Sequence, residues 1–363
     1  MASNVQQFIQ EIRESMTPEF APQMEILIKC LNDLDELSEL YDVKAEMLKQ
    51  VRMILIHIGR PMNSRLHSVF YGPPGVGKTQ TAQIVGRILC TLIPMTAGST
   101  KDETHNKLKE IADQSRECLV SVIDNPELVD VRNCLLNINV SANAILNGSL
   151  RGGDETSTGL VCVCGREDLV GQYAGHTPPK TIGFLRAHRG SVIIIEEAYL
   201  LYTGDQDQYG MEALTILNRF MDECPETPIF FTGYRQMLEE TIFKAQPGLQ
   251  RRCTWAFELK GYTPKGLASI FLRQLKRIGC ELSVKIDLTE FFTRNLGHFQ
   301  AYGGDTERLA FQCLLAHSAK RRLFEFVATM KISKEELESA FSTFSQHKMD
   351  GGDNKSNCDH LYS

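Results

Sequence analysis

The sequence predicts a parallel α/β sheet flanked by helices and followed by an all-helical domain. Three observations carry that class. Continuously apolar runs such as Ser191-Val192-Ile193-Ile194-Ile195 read as strands covered on both faces. They alternate with helical stretches, as strands joined by crossover helices do. From Thr263 onward the strand signal stops and helical periodicity takes over.

The elements follow in order. Residues 1–60 form an N-terminal helical region. Leu34, Leu37, Leu40 and Val43 recur at threes, and Met47, Leu48, Val51, Ile54, Leu55 and Ile58 continue at threes and fours. Pro61, Met62 and Asn63 break the pattern. The α/β domain is expected over 61–260. Its first strand, 67–71, runs into a Gly/Pro turn and then a helix from Thr79 to about Leu92. Residues 93–158 are polar and rich in turn signals, and read as an insertion with short helical stretches near 103–119 and 127–146. Further strands are expected at 160–164, 191–195, 228–232 and 254–259, with helices at 178–188 and 211–221. A helical lid domain spans 261–346. Leu267, Ile270, Phe271, Leu275 and Ile278 form one apolar face, and further helices cover 287–297, 304–328 and 333–346. Residues 347–363 are polar and rich in Gly, Asp and Asn, and read as a disordered tail.

Composition narrows the class. Apolar residues make up 42% of the 363, enough to exclude disorder of the whole chain. The net charge of −6 disfavours bulk affinity for nucleic acid. No apolar run approaches the ~18–20 residues of a membrane span, and the N-terminus lacks a secretory pattern. Eleven scattered cysteines suggest reduced, buried thiols. The expectation is a soluble, intracellular protein, cytoplasmic by default. Cys162 and Cys164 alternate with Val161 and Val163 like a strand. They lack the second half of a zinc site, so packing is the reading.

The chemistry begins at Gly72-Pro73-Pro74-Gly75-Val76-Gly77-Lys78-Thr79, which fits GxxxxGK[ST]. Its glycines let backbone N–H groups curl around phosphate oxygens. Lys78 reaches the β- and γ-phosphates of ATP, and the Thr79 hydroxyl takes Mg²⁺. The helix opening there aims its positive end at the same anion. Gln80, next on that helix, completes the candidate ATP-binding set. A second signal is Ile193-Ile194-Ile195-Glu196-Glu197, an apolar strand ending in two carboxylates. Glu196 would hold Mg²⁺ through water, and Glu197 would orient the attacking water.

Residues 165–260 resemble the CbbX/SpoVK branch of the AAA+ ATPases, which includes red-type Rubisco activases. The resemblance runs through Arg166-Glu167-Asp168-Leu169-Val170-Gly171-Gln172-Tyr173-Ala174-Gly175-His176-Thr177, Glu196-Glu197-Ala198-Tyr199-Leu200-Leu201, Thr232-Gly233-Tyr234-Arg235 and Pro247-Gly248-Leu249-Gln250-Arg251-Arg252. With 38–92 and the lid it covers about two thirds of the chain. It implies a P-loop AAA+ domain, a helical lid and a ring of six. It makes Tyr173 the pore-loop aromatic, the alternative being a Tyr packed on its own sheet. Residues 205–209 fall at a second pore loop. Thr232 falls at sensor 1 and Arg252 at the arginine finger, with Arg251 adjacent and able to take that role. The alternative for both arginines is pairing with local carboxylates. Three departures stand out: Glu196 where the family has Asp, Arg308 as the sensor 2 candidate in an altered Gly303-Gly304-Asp305-Thr306-Glu307-Arg308 stretch, and the long insertion.

The leading reading is an ATP-driven, ring-forming motor that remodels a protein client. A nucleic-acid motor or loader is the second. The segment 171–175 carries no Lys or Arg to neutralise phosphates, and Lys320-Arg321-Arg322 reads as a solvated helix face. A nucleotide-binding regulatory protein without turnover is the third, supported by Glu196 and the altered lid. Those lid and insertion features also rank an unidentified protein client above Rubisco.

Overall fold

The computed structural model describes residues 4–58, 66–96, 161–283, 286–319 and 330–353. Three helices come first: α1 (Asn4–Ser15), α2 (Ala21–Glu36) and α3 (Tyr41–Ile56). Then follow β1 (Ser68–Tyr71), α4 (Lys78–Thr96), β2 (Val161–Cys164), α5 (Arg166–Leu169), α6 (Thr177–Ala187) and β3 (Val192–Ile195). The α/β part continues with α7 (Gln208–Glu223), β4 (Ile229–Gly233), α8 (Arg235–Glu240), α9 (Ile242–Ala245), α10 (Pro247–Arg252) and β5 (Trp255–Glu258). The C-terminal part holds α11 (Pro264–Arg277), β6 (Cys280–Leu282), α12 (Leu288–Arg294), α13 (Tyr302–Ser318), β7 (Met330–Ile332) and α14 (Lys334–Asp353).

The expected α/β class holds. Strands β1 to β5 form one sheet in the order β2-β3-β4-β1-β5, and every pairing is parallel. Successive residues of each strand turn to opposite faces, which explains the continuous apolar runs. Phe70, Ile194, Phe230 and Phe257 enter a core shared with α1 to α4. Val69, Ile193, Ile195 and Phe231 enter a second core against Leu185 of α6 and Leu214 and Leu217 of α7. Phe70 stacks on Phe257 at 4.8 Å and tilts against Phe230 at 5.3 Å, joining three strands through aromatic contacts worth about 0.5–1.5 kcal/mol each. The N-terminal helices have no core of their own: Leu27, Leu31 and Leu34 continue the core of α4 and the sheet.

The C-terminal part differs from the reading in one respect. It is helical, but β6 and β7 pair in parallel there. Three residues are too short for a period to register, and the pairing joins segments far apart in sequence. Helix α14 runs to Asp353, into the 347–363 span read as tail. The expected insertion, beyond the end of α4, lies outside the described residues, as do Lys320-Arg321-Arg322 and 354–363. No described helix is long and apolar enough to cross a membrane.

The C-terminal part is tied to the N-terminal helices by the turn before α3. Glu39 and Leu40 adopt left-handed backbone, φ 56° and 48°, and the Glu39 carboxylate accepts the Thr263 N–H at 3.0 Å, at the start of α11. Arg273 of α11 donates to the Glu36 carbonyl and to Ser38 Oγ.

Within the helical part, His317 of α13 and Glu336 of α14 are buried against each other, Nδ1 to Oε1 3.2 Å. Burial alone would raise the Glu336 carboxyl. Bonds from the Ser333 N–H and His317 outweigh it and hold the carboxyl below its usual range. A depressed folded pKa means stabilisation that is present above the unfolded value of about 4.3 and is lost as pH falls through the folded one. Glu336→Gln is therefore expected to lower the Tm at pH 7, with the gap to wild type closing below about pH 4 in a calorimetric pH series.

Candidate functional site

Three strands deliver their carboxyl ends to one place. Tyr71 of β1 pairs with Gly233 of β4, and Phe231 of β4 pairs with Ile195 of β3. The loops leaving β1, β4 and β3 therefore emerge side by side, in the crevice where open α/β sheets bind ligands. The sequence placed its phosphate loop after β1 and its two carboxylates after β3, and the strand order brings both to this edge.

The phosphate loop is shaped by its glycines. Gly75 and Gly77 hold φ of 72° and 82°, a region that residues with a Cβ seldom adopt. Lys78 curls back so that Nζ donates to the carbonyls of Gly72 and Pro73, both at 2.9 Å. Burial lowers the Lys78 pKa, and the charge of Glu197 works against that. Thr79 is half-buried in the first turn of α4, and Gln80 is exposed.

Past β3, the Glu196 N–H bonds the Cys164 carbonyl at 2.9 Å. Glu197 takes left-handed backbone, φ 43° and ψ 48°, with its side chain exposed. Such a conformation in a residue with a Cβ costs about 1–3 kcal/mol and persists only where its surroundings impose it. Here the Leu200 N–H grips the Glu197 carbonyl at 2.8 Å, and Ala198 and Tyr199 are buried behind it. Burial and the adjacent Glu197 carboxylate push the Tyr199 hydroxyl up to about 12.

The structure adds a residue that the sequence reading missed. Thr232 is only 2% exposed, and its hydroxyl points at the Ile195 carbonyl, 3.4 Å away, inside the sheet. Tyr234, two residues on, is the one that meets the phosphate loop: the Lys78 ammonium stands 4.7 Å from its ring centroid. The Tyr234 ring in turn lies 5.7 Å from that of Tyr199. Lys78, Tyr234, Tyr199 and Glu197 thus form one series of contacts across the site. The available signal was an aromatic directly past a strand end, in a run already singled out for its threonine.

The C-terminal part closes on the phosphate loop through one backbone N–H and one tyrosine hydroxyl. The Gly303 N–H donates to the Gly75 carbonyl at 3.0 Å, and the Tyr262 hydroxyl donates to the Val76 carbonyl at 2.9 Å. A Cβ on Gly75 would stand 1.8 Å from the Ala301 carbonyl oxygen. Beside this contact lies a cavity of about 220 Å³ lined by Leu40, Tyr41, Val43, Lys260, Gly261 and Tyr262. Arg308 is exposed on α13 and makes no hydrogen bond or ion pair among the described residues.

The other candidates lie elsewhere. Tyr173 sits on the loop between α5 and α6, 65% exposed, with His176 edge-on at 5.4 Å. The 205–209 stretch is pinned to the base of that loop. Arg166 of α5 bonds both carboxylate oxygens of Asp207, at 2.6 and 2.9 Å, and also the carbonyls of Leu200 and Leu201. Arg251 and Arg252 end α10. Arg252 is held by Asn218 and Asp222 of α7, while Arg251 projects outward. Among the described residues, no group of His, Cys, Asp and Glu suits a metal ion held by protein ligands alone.

No family model matches the chain. Curated relatives do. It is 40% identical over 107 residues to a CfxQ homologue of Guillardia theta, covering 29% of this chain and 36% of that one. The same identity, length and shares relate it to the chloroplastic ribulose bisphosphate carboxylase/oxygenase activase of Cyanidioschyzon merolae. A cfxQ-like protein of Acanthamoeba polyphaga mimivirus is 23% identical over 344 residues, covering 93% of this chain and 70% of that one. The chain thus spans about a third of the first two relatives' length and 70% of the viral one's.

The contact at Gly75 yields a direct test. Gly75→Ala cannot keep both the loop's backbone and the approach of Ala301. It is expected to weaken binding of a fluorescent ATP analogue at least tenfold, about 1.4 kcal/mol, in an equilibrium titration against wild type. Equal affinities would show that the phosphate loop tolerates loss of this contact.

Proposed function

We propose that the chain, which is similar to CfxQ homologues and to a cfxQ-like protein, is an AAA+ protein of the CbbX/CfxQ-like branch, an ATP-hydrolysing, ring-forming motor that threads a protein client through a central pore. The meeting of Lys78, Glu197 and Tyr234 at the strand ends, under a lid bonded to the phosphate loop, carries this reading.

The residues fit ATP and Mg²⁺. The turns at Gly75 and Gly77 leave backbone N–H groups for phosphate oxygens, at the start of the 19-residue helix α4. Mg²⁺ would be held by Thr79 and, through water, by Glu196, and would neutralise charge on the β- and γ-phosphates. Lys78 exchanges the carbonyls of Gly72 and Pro73 for phosphate oxygens. The Tyr234 ring stands beside the Lys78 ammonium at this exchange. Glu197 orients a water in line with the γ-phosphate and takes its proton as the bond to the β-phosphate oxygen breaks. An arginine from the neighbouring copy stabilises the charge that develops. The cavity behind Tyr262, where Leu40 and Val43 supply apolar wall beside Glu39, Asp42 and Glu258, is the place for the nucleobase.

Motion reaches the client through Arg166. It clasps the segment just past Glu197 to the base of the Tyr173 loop, so a shift of one moves the other. An exposed tyrosine at a loop tip grips an extended polypeptide by apolar contact without reading its sequence. The Cyanidioschyzon merolae relative is named for activating ribulose bisphosphate carboxylase/oxygenase. The altered lid and the insertion argue for another protein client here.

Two outcomes follow. ATPase activity per mole of chain should rise with concentration as copies assemble, with mass measured in parallel. Glu197→Gln should assemble and bind ATP yet lose about 10²–10⁴-fold in turnover. Specific activity independent of concentration would remove the ring from the mechanism. Tyr173→Ala should abolish release of a client captured on the Glu197→Gln ring and returned to active copies, and Tyr173→Phe should keep it. Release by Tyr173→Ala at the wild-type rate would end the threading model.

A further inference from the structure

Tyr262 and Gly303 reach the phosphate loop from its outer side, and each meets a carbonyl there. The Tyr262 hydroxyl donates to Val76 at 2.9 Å, and the Gly303 N–H donates to Gly75 at 3.0 Å. These carbonyls belong to successive peptides, the one joining Gly75 to Val76 and the one joining Val76 to Gly77. Both peptides are trans, and a trans peptide points its N–H away from its C=O. The Gly77 N–H therefore points away from the Tyr262 hydroxyl, directly before Lys78 and the start of α4. It has no acceptor among the described residues. A donor at the oxygen of a peptide strengthens the N–H at its other end, as along any chain of hydrogen bonds.

Both outer donors are held in place. The Tyr262 ring packs against the sheet core and the C-terminal core together, and the Tyr302 ring meets it edge-on at 6.2 Å. Burial pushes the Tyr262 hydroxyl up to about 12, so it keeps its proton at neutral pH. Gly303 is fixed through its own carbonyl, which accepts from Gln274 Nε2 at 2.9 Å and from the Thr306 hydroxyl at 3.0 Å.

We infer that Tyr262 is a positioning residue for phosphate: its hydroxyl, from outside the loop, polarises the peptide joining Val76 to Gly77, so that the Gly77 N–H is the stronger donor to an anionic phosphate oxygen. The inference rests on the reading that this loop holds the phosphates of ATP. It gives the C-terminal part a share in phosphate binding through a hydroxyl that touches only the loop. Tyr262 also borders the cavity assigned to the nucleobase, and its two ends serve different partners. The ring walls the cavity, while the hydroxyl is committed to Val76. An N–H bond to a charged oxygen is about twice as strong as one to a neutral group. A phosphate therefore gains from the better donor, and a neutral nucleoside does not. Gly303 acts in the same way on the preceding peptide, but there the donor is backbone and no side-chain change removes it.

The test uses the full chain and Tyr262→Phe, which keeps the ring and removes only the hydroxyl. A fluorescent ATP analogue is displaced by ATP, by inorganic tripolyphosphate, which has no base, and by adenosine, which has no phosphate. Protein labelled at glycine with ¹⁵N reports the Gly77 amide proton by NMR, without any ligand. Tyr262→Phe is expected to weaken ATP and tripolyphosphate alike, by about threefold to tenfold. It should leave adenosine unchanged and move the Gly77 amide proton upfield. Gln274→Leu loosens the C-terminal part without touching Val76, and should leave the Gly77 resonance in place. A shift of that resonance in both variants would mean general loosening and would overturn the inference. So would wild-type affinity of Tyr262→Phe for tripolyphosphate, or a loss of adenosine as large as that of ATP, the mark of a role at the base. Wild type that binds neither ATP nor tripolyphosphate would overturn the ATP reading instead. The Gly77 resonance, read without ligand, would still decide whether the hydroxyl polarises the peptide.

Discussion

The bond from the Gly303 N–H to the Gly75 carbonyl ties two parts of the molecule that have separate cores. It is made by backbone on both sides, so neither partner can swing away on a rotamer. Gly75 can accept it only because nothing projects from its Cα, where Ala301 approaches closely. The shape of the phosphate loop and the position of the lid are consequently one variable. A ligand that reshapes the loop would therefore bear on this contact with the C-terminal part.

The same coupling extends to the N-terminal helices. The turn at Glu39 and Leu40 is strained and is held by its bonds to Thr263 and by the neighbouring contacts of Arg273. Lys44 reinforces it by donating to the carbonyls of Asp35 and Leu37. This turn borders the cavity behind Tyr262, so lid, N-terminal helices and phosphate loop share one junction. On the other side of the sheet, Arg166 plays the corresponding part between the Glu197 segment and the Tyr173 loop. Both junctions are polar networks that join separate elements of the fold.

Much of this was legible in advance. Strands buried on both faces announce themselves as apolar runs, and all five fell within a residue or two of their expected bounds. The phosphate loop was legible because its chemistry demands particular residues at particular spacing, and the carboxylates after β3 because a charged pair ending an apolar strand is conspicuous. Tyr234 was not, because an aromatic after a strand is usually packing, and nothing local says that Lys78 lies beneath it. The β6–β7 pair was invisible because three residues carry no period.

What the sequence alone determined is therefore what local chemistry dictates: the strand and helix pattern, the phosphate loop, and the presence of Glu196, Glu197, Arg251 and Arg252. Those follow from side-chain periodicity and from steric rules that act within a few residues. The tertiary structure alone decided which groups meet. Tyr234 faces Lys78 because β4 lies between β1 and β3. Arg252 is committed, and among the described residues Arg251 is not, because α7 presents Asn218 and Asp222 to one of them. Such choices depend on strand order and helix packing across tens to hundreds of residues, and no property of either arginine's own neighbourhood in sequence encodes them.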